Sequence, residues 1–546
     1  MGRASRATGR PRRRDLLVGG AGAAALAVLG RRTARAAAPG VAPAAAPSVV
    51  PAIGVDVHCH TFCSADLPIV GFVAHFIPGL TDLSRLVTHW PELVVRTLVG
   101  AVATLPNAVA PTGDEELARL RALLARRGGA AVSPVPPLPS EALDALLAQL
   151  TKHLPFSVGA DKRRIVARYL EALYLVAHPR AGISATLAQM FPSVSLFTPA
   201  LVDYDAWSED RAPTPLWTQI LIQEAIARLS IEGRVGRPDA RFHPFVAFDP
   251  RRDLDAGRPA PAAFAAGTAV PAAGAAPAAG TVPKVAAPPT AASPALEMVR
   301  YAIESAGFLG VKLYPPVGFA PLDNLRLRSR LPFAERLDEA LSALYGYCQA
   351  AEIPITTHAS AANEYGLGLH TLVAPERWRP VLERYPTLRL NFGHFGHDYG
   401  VEDRGAPRET ATAWIYQAAA LIERYPNVYA DLSNSPLVYD PVYATRLLGL
   451  LGDVIARYPK VKRRLMYGSD WWLSRLDPEA ETAVEKFRAT FARLLGAGAV
   501  GDVMGGNALR FLGFLDDAGQ PRSGLAAARL RRFYAGAALP PWLPRG

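Results

Sequence analysis

The chain has 546 residues, which is long enough for a large hydrophobic core, and its 50% hydrophobic and 20% charged residues are ordinary for a globular protein. The formal net charge is +11, but residues 1–36 hold nine arginines and a single acid and so carry +8 of it. The rest of the chain carries only +3, which argues against nucleic acid as a partner. Three cysteines are too few for a disulfide scaffold.

The N-terminal residues have the composition of a targeting signal. A basic start is followed by a weakly apolar run at 16–29, which is shorter than the roughly 20 residues needed to span a bilayer. Arg13 and Arg14, followed by one free position and two leucines, resemble a twin-arginine export signal. We therefore predict a signal peptide at 1–37 and an exported, periplasmic or extracellular protein without stable membrane insertion. A disordered basic tail on a cytosolic protein is the alternative.

Eight short apolar runs follow an Ala/Pro-rich spacer at 38–51. Such runs are typical of buried strands, and amphipathic helical patterns separate most of them, as at 335–352. This alternation predicts an α/β fold, which we expect to be a (β/α)8 TIM barrel over 52–515, with an open doubly wound sheet as the alternative. The predicted strands are 53–60, 195–205, 241–250, 307–316, 353–360, 388–397, 427–434 and 464–472.

Two long segments and a tail depart from this alternation. Residues 61–194, after the first strand, contain helical patterns at 114–127 and 140–154 and are far longer than one crossover helix, so we predict a large helical insertion over the strand ends. Residues 255–293, after the third strand, are low-complexity Ala/Pro/Gly sequence. They cannot bury enough apolar surface to offset the entropy lost on ordering, which predicts a disordered loop. Residues 516–546 form a C-terminal tail.

Two histidines, His58 and His60, stand at alternate positions where the first predicted strand ends. Alternate residues of a strand share one face, so both imidazoles could bind a divalent ion such as zinc. A pair of hydrogen-bonded histidines without metal is the alternative for this motif alone. His358, His394 and Asp470 end later strands, however, and in a parallel barrel all these ends meet on one face. Three histidines and a carboxylate around one ion leave room for a water.

The order of these residues along the chain resembles that in the amidohydrolase superfamily. It is most similar to the branch of amidohydrolase-related proteins that includes aminocarboxymuconate semialdehyde decarboxylase, whose opening strand matches DVHCH at 56–60. Together the matches cover about 53–515, apart from the insertions. The other segments similar to this branch are GFLGVKLYP at 307–315, RLNFGHFG at 389–396, RLMYGSDWW at 464–472 and MGGNALRFLGF at 504–514.

The resemblance implies a role for each of the strand-end residues. It implies one divalent metal ion, for which we expect zinc, and His394 as a base beside the metal-bound water or as a group that polarises the substrate carbonyl. Asp470 could also take the proton from that water and pass it to a leaving group. The implied metal ligands are His58, His60, His358 and Asp470.

Three further residues are candidate substrate contacts. Lys312 ends the fourth strand, where some superfamily members carry a carbamylated lysine that bridges two metals. We favour one metal and expect Lys312 to lie behind the ligands or to contact a substrate carboxylate. Trp471 and Phe62 flank the proposed site and could form an aromatic wall, with ordinary packing as the alternative.

These observations predict a metal-dependent hydrolase of the amidohydrolase type. In such an enzyme a metal-bound hydroxide would attack the carbonyl group of an amide, a lactone or an ester in a small molecule. One alternative is a metal-dependent non-oxidative decarboxylase of an unsaturated or aromatic carboxylic acid, which a basic group gripping the carboxylate would favour. A second alternative is a catalytically degenerate barrel that only binds metal. The sequence leaves open whether the chain forms a homodimer.

Overall fold

The computed structural model describes most of the chain from residue 53 onward, and all the described residues belong to one compact unit. The predicted signal peptide at 1–37 and the predicted spacer at 38–51 lie outside the described residues. So do 69–109 of the predicted insertion and 256–293 of the predicted loop. The described ranges are 53–68, 110–126, 128–152, 160–208, 210–255, 294–329, 331, 333–360, 369–396, 408–434, 441–471 and 482–545.

Short parallel strands form the centre of the fold. The described residues contain nine strands: β1 (Gly54–Cys59), β2 (Val194–Pro199), β3 (Arg241–Phe242), β4 (Phe245–Ala247), β5 (Gly310–Leu313), β6 (Ile355–His358), β7 (Leu390–Gly393), β8 (Val428–Asp431) and β9 (Leu465–Met466). Pairings among these described strands are all parallel, and neighbours follow chain order, β1 to β3 in one sheet and β4 to β9 in another. The protein therefore has an α/β fold with parallel sheets, as the sequence predicts.

Each of the eight predicted runs contains a strand, but the third run is divided. It holds both β3 and β4, with His243 and Pro244 between them. Proline has no N–H to donate to a sheet, so it interrupts the ladder. As a result β3 pairs with β2, whereas β4 pairs with β5.

Backbone hydrogen bonds connect the two sheets on both sides. Just after β2, the N–H of Leu201 donates to the carbonyl of Phe245 in β4 at 3.0 Å. At the other side, the N–H of Val57 in β1 donates to the carbonyl of Tyr467, just after β9, at 3.2 Å. The first and last strands of the described structure are thus neighbours.

Helices follow most strands and fill the described part of the predicted insertion. The helices of the described residues are α1 (Gly113–Ala125), α2 (Ser140–Lys152), α3 (Ala160–Val176), α4 (Arg180–Met190), α5 (Asp205–Ser208), α6 (Leu216–Ile231), α7 (Arg252–Asp255), α8 (Ala295–Glu304), α9 (Ala334–Ala350), α10 (Arg379–Arg384), α11 (Arg408–Arg424), α12 (Pro441–Arg457), α13 (Ala483–Leu495), α14 (Asn507–Phe511) and α15 (Leu525–Tyr534). Helices α1 to α4 lie between β1 and β2. Among the described residues no helix combines the length and apolarity that crossing a membrane requires.

Local sequence explains where some of these helices begin. Helix α1 begins after Thr112, whose hydroxyl accepts a hydrogen bond from the N–H of Glu115 at 3.2 Å. The Glu115 carboxylate in turn accepts from the N–H of Thr112 at 3.3 Å. This reciprocal capping satisfies two backbone donors that the first turn of a helix leaves without partners.

The strands are buried on both faces, which is typical of parallel sheets covered by helices. Every residue of β4 to β9 is buried, including polar ones such as Lys312 and Asp431. The predicted C-terminal tail contains helix α15, and Trp542 beyond it is buried in the same apolar cluster as Val55 and Val57 of β1. The tail therefore contributes to the core rather than only extending from it.

A buried cluster of charged side chains connects helices α1 and α4 to the segment that follows β1. Arg180, the first residue of α4, donates to Asp66 at 2.8 Å and to Glu116 of α1 at 2.6 Å. It also donates to the hydroxyl of Thr214 at 2.9 Å. Burial raises the pKa of Glu116, and Arg180 offsets part of that effect. The cluster ties α1 and α4 to the segment that follows β1.

Candidate metal centre

The end of β1 carries the two histidines of the HxH motif, and a carboxylate fixes the first of them. His58 is buried, and its Nδ1 lies 3.1 Å from Oδ2 of Asp431 at the end of β8. Because a carboxylate only accepts hydrogen bonds, Nδ1 carries the hydrogen and Nε2 keeps its lone pair. That is the tautomer in which an imidazole can bind a metal ion through Nε2.

His60 is held in the same tautomer by the backbone. Its Nδ1 donates to the carbonyl of Ala200 at 2.8 Å, and its Nε2 lies 3.8 Å from Oδ1 of Asp470. Burial lowers the pKa of His60 to about 3, so the ring is neutral at physiological pH. A neutral ring with a free Nε2 lone pair is the form that binds metal.

Asp470 completes a group with these two histidines. Its backbone N–H donates to the carbonyl of His58 at 2.8 Å, and its φ of 42° is uncommon for a non-glycine residue. One ligand atom from each of His58, His60 and Asp470 lies within 4.8 Å of the others. Two imidazoles and a carboxylate, all largely buried, are a donor set that suits zinc. The residues present therefore fit a divalent ion.

Asp431 is a site residue that our sequence reasoning missed. Besides His58, it accepts from Asn391 Nδ2 at 2.6 Å, from the N–H of His394 at 3.1 Å and from the hydroxyl of Ser433 at 2.5 Å. Burial alone would raise the pKa of Asp431, but the adjacent His58, whose Nδ1 donates to it, holds it well below its usual range. Its sequence signal is weak, because Asp431 is a single acid inside the seventh predicted run, 427–434.

His394 lies on the other side of Asp431, directly after β7. Its backbone has a φ of 64°, and its Nδ1 donates to the carbonyl of Ser433 at 3.1 Å, which leaves Nε2 as an acceptor. Burial lowers the pKa of His394 to about 4. Ligand atoms of His58, His394 and Asp431 also lie within 4.8 Å of one another. Both groups of converging ligand atoms thus share His58.

His358 is placed at the same edge but outside both groups. It ends β6, and its ring centroid lies 4.7 Å from that of His394 and 4.5 Å from that of Tyr314. Its Nε2 lies 3.2 Å from the hydroxyl of Ser360. Burial holds the pKa of His358 well below its usual value, so this ring is neutral too.

The predicted substrate contacts lie close to the histidines. Lys312 is buried, and its Nζ lies 2.9 Å from Nε2 of His58, while burial lowers its pKa to about 8. The indole N–H of Trp471 donates to the carbonyl of His60 at 2.6 Å, so this residue supports the β1 end. The ring of Phe62 lies 6.1 Å from the ring of His60.

Small residues and a second buried acid allow His58 to be enclosed in this way. A Cβ at Gly393 would lie 2.9 Å from Cε1 of His58, and one at Gly468 would lie 2.8 Å from its Cβ. Asp56 of β1 accepts from the N–H and hydroxyl of Ser469, at 2.9 and 2.6 Å, and thereby anchors the residue before Asp470. Burial raises the pKa of Asp56 to about 7.

A comparison with known protein families shows to which family the chain belongs. A family model described as amidohydrolase matches residues 234–514, just over half of the chain. The chain belongs to this amidohydrolase family. The matched region includes His358, His394, Asp431 and Asp470, whereas the HxH motif of β1 precedes it. In the folded protein the HxH motif nevertheless lies next to Asp431 and Asp470, which the family model covers.

Solved structures resemble the chain at low identity, and a search of the curated proteins finds no match. An uncharacterised TIM-barrel protein from Bordetella bronchiseptica shares 14% identity, covers 70% of this chain and 96% of its own, and has a TM-score of 0.36. An amidohydrolase from Burkholderia multivorans with bound zinc shares 18% identity, covers 38% of this chain and 64% of its own, and has a TM-score of 0.26. These scores are too low to carry an argument, so the family assignment rests on the family model.

Proposed function

We propose that the protein is a metal-dependent hydrolase that cleaves an amide, lactone or ester bond of a small molecule. The observation that carries this proposal is the convergence of His58, His60 and Asp470, within 4.8 Å of one another, in a chain of the amidohydrolase family. Neutral, oriented imidazoles beside a carboxylate are what a divalent ion needs from a protein.

We assign one divalent ion, zinc, to this centre. The proposed ligands are His58 and His60 through Nε2, the Asp470 carboxylate, and His358 at the end of β6, which lies outside the group of converging ligand atoms. A bound divalent ion supplies Lewis acidity, which polarises a carbonyl and lowers the pKa of a water toward about 7. Asp431 holds the ring of His58 in the tautomer that this role requires.

Two residues are proposed to move protons. Asp470 is positioned by its own backbone bond to His58, and its carboxylate can accept a proton and return it to a leaving group. His394 donates its Nδ1 hydrogen to Ser433, so its Nε2 is free to accept a proton or a hydrogen bond. Both side chains are buried, and electrostatic effects are stronger where water is excluded.

We further propose that the strands form one closed (β/α)8 barrel. The hydrogen bonds from Leu201 to Phe245 and from Val57 to Tyr467, which connect the two sheets on both sides, support closure. In such a barrel β3 and β4 act as one interrupted strand, so the nine observed strands correspond to eight. The site then lies at the carboxyl ends of the strands, where the active sites of such barrels lie.

A metal-dependent decarboxylase is the alternative function, and it needs a basic group that can hold the substrate carboxylate. Lys312 is the candidate for that group, because its Nζ lies 2.9 Å from Nε2 of His58 and would lose this contact when the imidazole binds zinc.

Zinc content and turnover of purified variants test the proposal. The double variant His58→Ala/His60→Ala should lose bound zinc in elemental analysis, whereas His178→Ala, between α3 and α4 and hydrogen-bonded to the carbonyl of Tyr174, should keep it. Asp470→Asn should lose hydrolysis of p-nitrophenyl acetate and δ-valerolactone. One equivalent of zinc in the double variant would show that the ligands are misassigned. Release of carbon dioxide from salicylate, without ester or lactone hydrolysis, would support the decarboxylase instead.

We also propose export by the twin-arginine route, on the basis of Arg13 and Arg14 in the basic N-terminal segment. Replacing both arginines with lysine keeps the charge but removes the pair. The variant should accumulate in the cytoplasm of the producing cell, as measured by fractionation. Unchanged secretion would overturn the proposal.

A further inference from the structure

The hydroxyl of Ser433 lies between the two histidines that flank Asp431. Ser433 is fully buried and follows the end of β8. Its Oγ lies 2.9 Å from Nδ1 of His58 and 3.0 Å from Nδ1 of His394. It also lies 2.5 Å from Oδ1 of Asp431. One hydroxyl oxygen is therefore within hydrogen-bond distance of both imidazoles and of the carboxylate.

The chemistry of these groups sets the direction of each hydrogen bond. The Asp431 carboxylate only accepts, so the hydroxyl hydrogen of Ser433 points to its Oδ1. Nδ1 of His58 faces the same carboxylate, and Nδ1 of His394 faces the carbonyl of Ser433, so each of these nitrogens carries a hydrogen. The two lone pairs of Oγ then accept from the two Nδ1–H groups. The hydroxyl thereby uses its one donor and both acceptors, which is its full capacity.

The main chain around Ser433 holds this hydroxyl in place. The N–H of Ser433 donates to Oδ1 of Asp431 at 3.1 Å, and its carbonyl accepts from Nδ1 of His394 at 3.1 Å. Gly468 packs against the side chain, because a Cβ at Gly468 would lie 3.0 Å from Cβ of Ser433. Backbone hydrogen bonds and close packing therefore fix the position from which the hydroxyl meets the two rings.

The shared hydroxyl links the orientation of one ring to that of the other. The ring centroids of His58 and His394 are 4.7 Å apart. Asp431 accepts from the ring of His58 but only from the backbone N–H of His394. Among the described residues, Oγ of Ser433 is the hydrogen-bonding atom that the two rings have in common. Because it contacts Nδ1 of each ring, both Nε2 atoms keep the lone pair that their proposed roles require.

We propose that Ser433 is a positioning residue that holds the metal ligand His58 and the base His394 in matching tautomers and orientations. The inference rests on the proposed hydrolase function, which supplies these two roles. Ser433 makes and breaks no bond of the substrate, so its effect on the reaction passes through the imidazoles. Ser433→Ala removes the acceptor that the rings share and leaves each ring one separate acceptor, Asp431 for His58 and the carbonyl of residue 433 for His394.

The imidazole nitrogens report this positioning directly, without metal or turnover. Magic-angle-spinning NMR of the zinc-free protein, with its histidines labelled with nitrogen-15, separates protonated from unprotonated ring nitrogens. In the wild type, Nδ1 of both His58 and His394 should be protonated and Nε2 of both should not. His58→Gln and His394→Gln assign the signals by their loss. In Ser433→Ala the signals of both rings should shift, because both rings lose the same acceptor.

Ser184 provides the matched control. It is also fully buried, and its hydroxyl donates to the carbonyl of Arg180 at 2.8 Å within helix α4. Ser184→Ala removes the same chemical group and should leave the signals of both histidines unchanged. If Ser433→Ala fails to fold by circular dichroism, Ser433→Cys, whose thiol is a weak acceptor, should shift the same two sets of signals.

Kinetics of the zinc-loaded protein give a second readout. Ser433→Ala should lower kcat for p-nitrophenyl acetate about 10-fold, the loss expected for two ordinary hydrogen bonds. KM should stay at the wild-type value, since Ser433 does not contact the substrate in this proposal. A purely structural role would instead lower the free energy of unfolding and leave kcat per folded molecule unchanged.

The outcomes separate this inference from the hydrolase proposal. A protonated Nε2 in His394 of the wild type, a shift of one ring alone in Ser433→Ala, or an unchanged kcat in that variant would each overturn the positioning role. Failure of the hydrolase proposal would appear separately, as no zinc-dependent hydrolysis of a carbonyl substrate by the wild type. The joint shift of both rings in Ser433→Ala would then still support their coupling through this hydroxyl.

Discussion

Oδ2 of Asp431 lies 3.1 Å from Nδ1 of His58, and both side chains are buried at the ends of strands that are 373 residues apart in sequence. A carboxylate bound to the remote nitrogen of a ligating histidine fixes the ring and raises its basicity. The same carboxylate accepts from the backbone N–H of His394. Asp431 therefore positions one proposed metal ligand and one proposed catalytic base together.

Replacing Asp431 with asparagine should weaken zinc binding about 10- to 100-fold, because the amide neither carries charge nor selects the required tautomer of His58. Competition with a chromogenic chelator measures the affinity. Asp516→Asn, at an exposed turn, is the matched control and should keep wild-type affinity. Unchanged affinity in Asp431→Asn would mean that the imidazole of His58 is oriented by other contacts, such as the hydroxyl of Ser433 at 2.9 Å.

The metal content of a Lys312 variant distinguishes a one-metal centre from a two-metal centre. Its amine lies 2.9 Å from Nε2 of His58, and its pKa of about 8 leaves part of it neutral near pH 8. If one ion is bound, Lys312→Met should retain one equivalent of zinc by elemental analysis. A carbamylated lysine that bridges two ions would instead make the wild type bind two equivalents, and the variant would lose metal. Mass spectrometry of the intact wild type should show no added carbon dioxide.

The positions of the strands could be predicted because buried parallel strands are continuous apolar runs, and all eight runs contain strands. The HxH motif could be placed on one face because strand periodicity is two. The break in the third run could not be foreseen from apolarity alone, since Pro244 changes the sheet partner without changing the hydrophobic pattern. The sequence shows where a strand lies better than where its pairing stops.

The site was less predictable where it depends on buried charge. Asp431 and Asp56 each stand within an apolar run, and nothing local distinguishes them from surface acids. What gives them their role is a partner far along the chain, His58 for one and Ser469 for the other. Arg180 is a similar case, because its three acceptors come from separate segments. Long-range partners of this kind follow from the fold and not from spacing.

Arg180 should be essential for stability. Arg180→Met removes the cation from a fully buried site and leaves Asp66 and Glu116 without their partner, which typically costs about 3–5 kcal/mol. Urea unfolding followed by circular dichroism measures the change. Arg326→Met is the matched control, because that arginine is 76% exposed and its ion pair with Asp323 is long, at 3.6 Å, so its loss should change little. Equal stability of both variants would contradict a structural role for the buried cluster.

His243 should make the fold sensitive to acid independently of the metal centre. Its Nδ1 donates to the carbonyl of Gly307 at 2.9 Å, its Nε2 accepts from the hydroxyl of Tyr534 at 3.2 Å, and burial lowers its pKa to about 4. Between pH 6.5 and 4 the unfolded chain binds a proton that the folded protein does not, so the free energy of unfolding falls as the pH falls, by up to about 3 kcal/mol. In urea titrations over this range His243→Gln should lose less stability than the wild type. Tyr534→Phe, which keeps the buried imidazole, should retain the wild-type dependence, and parallel curves for His243→Gln and the wild type would refute the assignment.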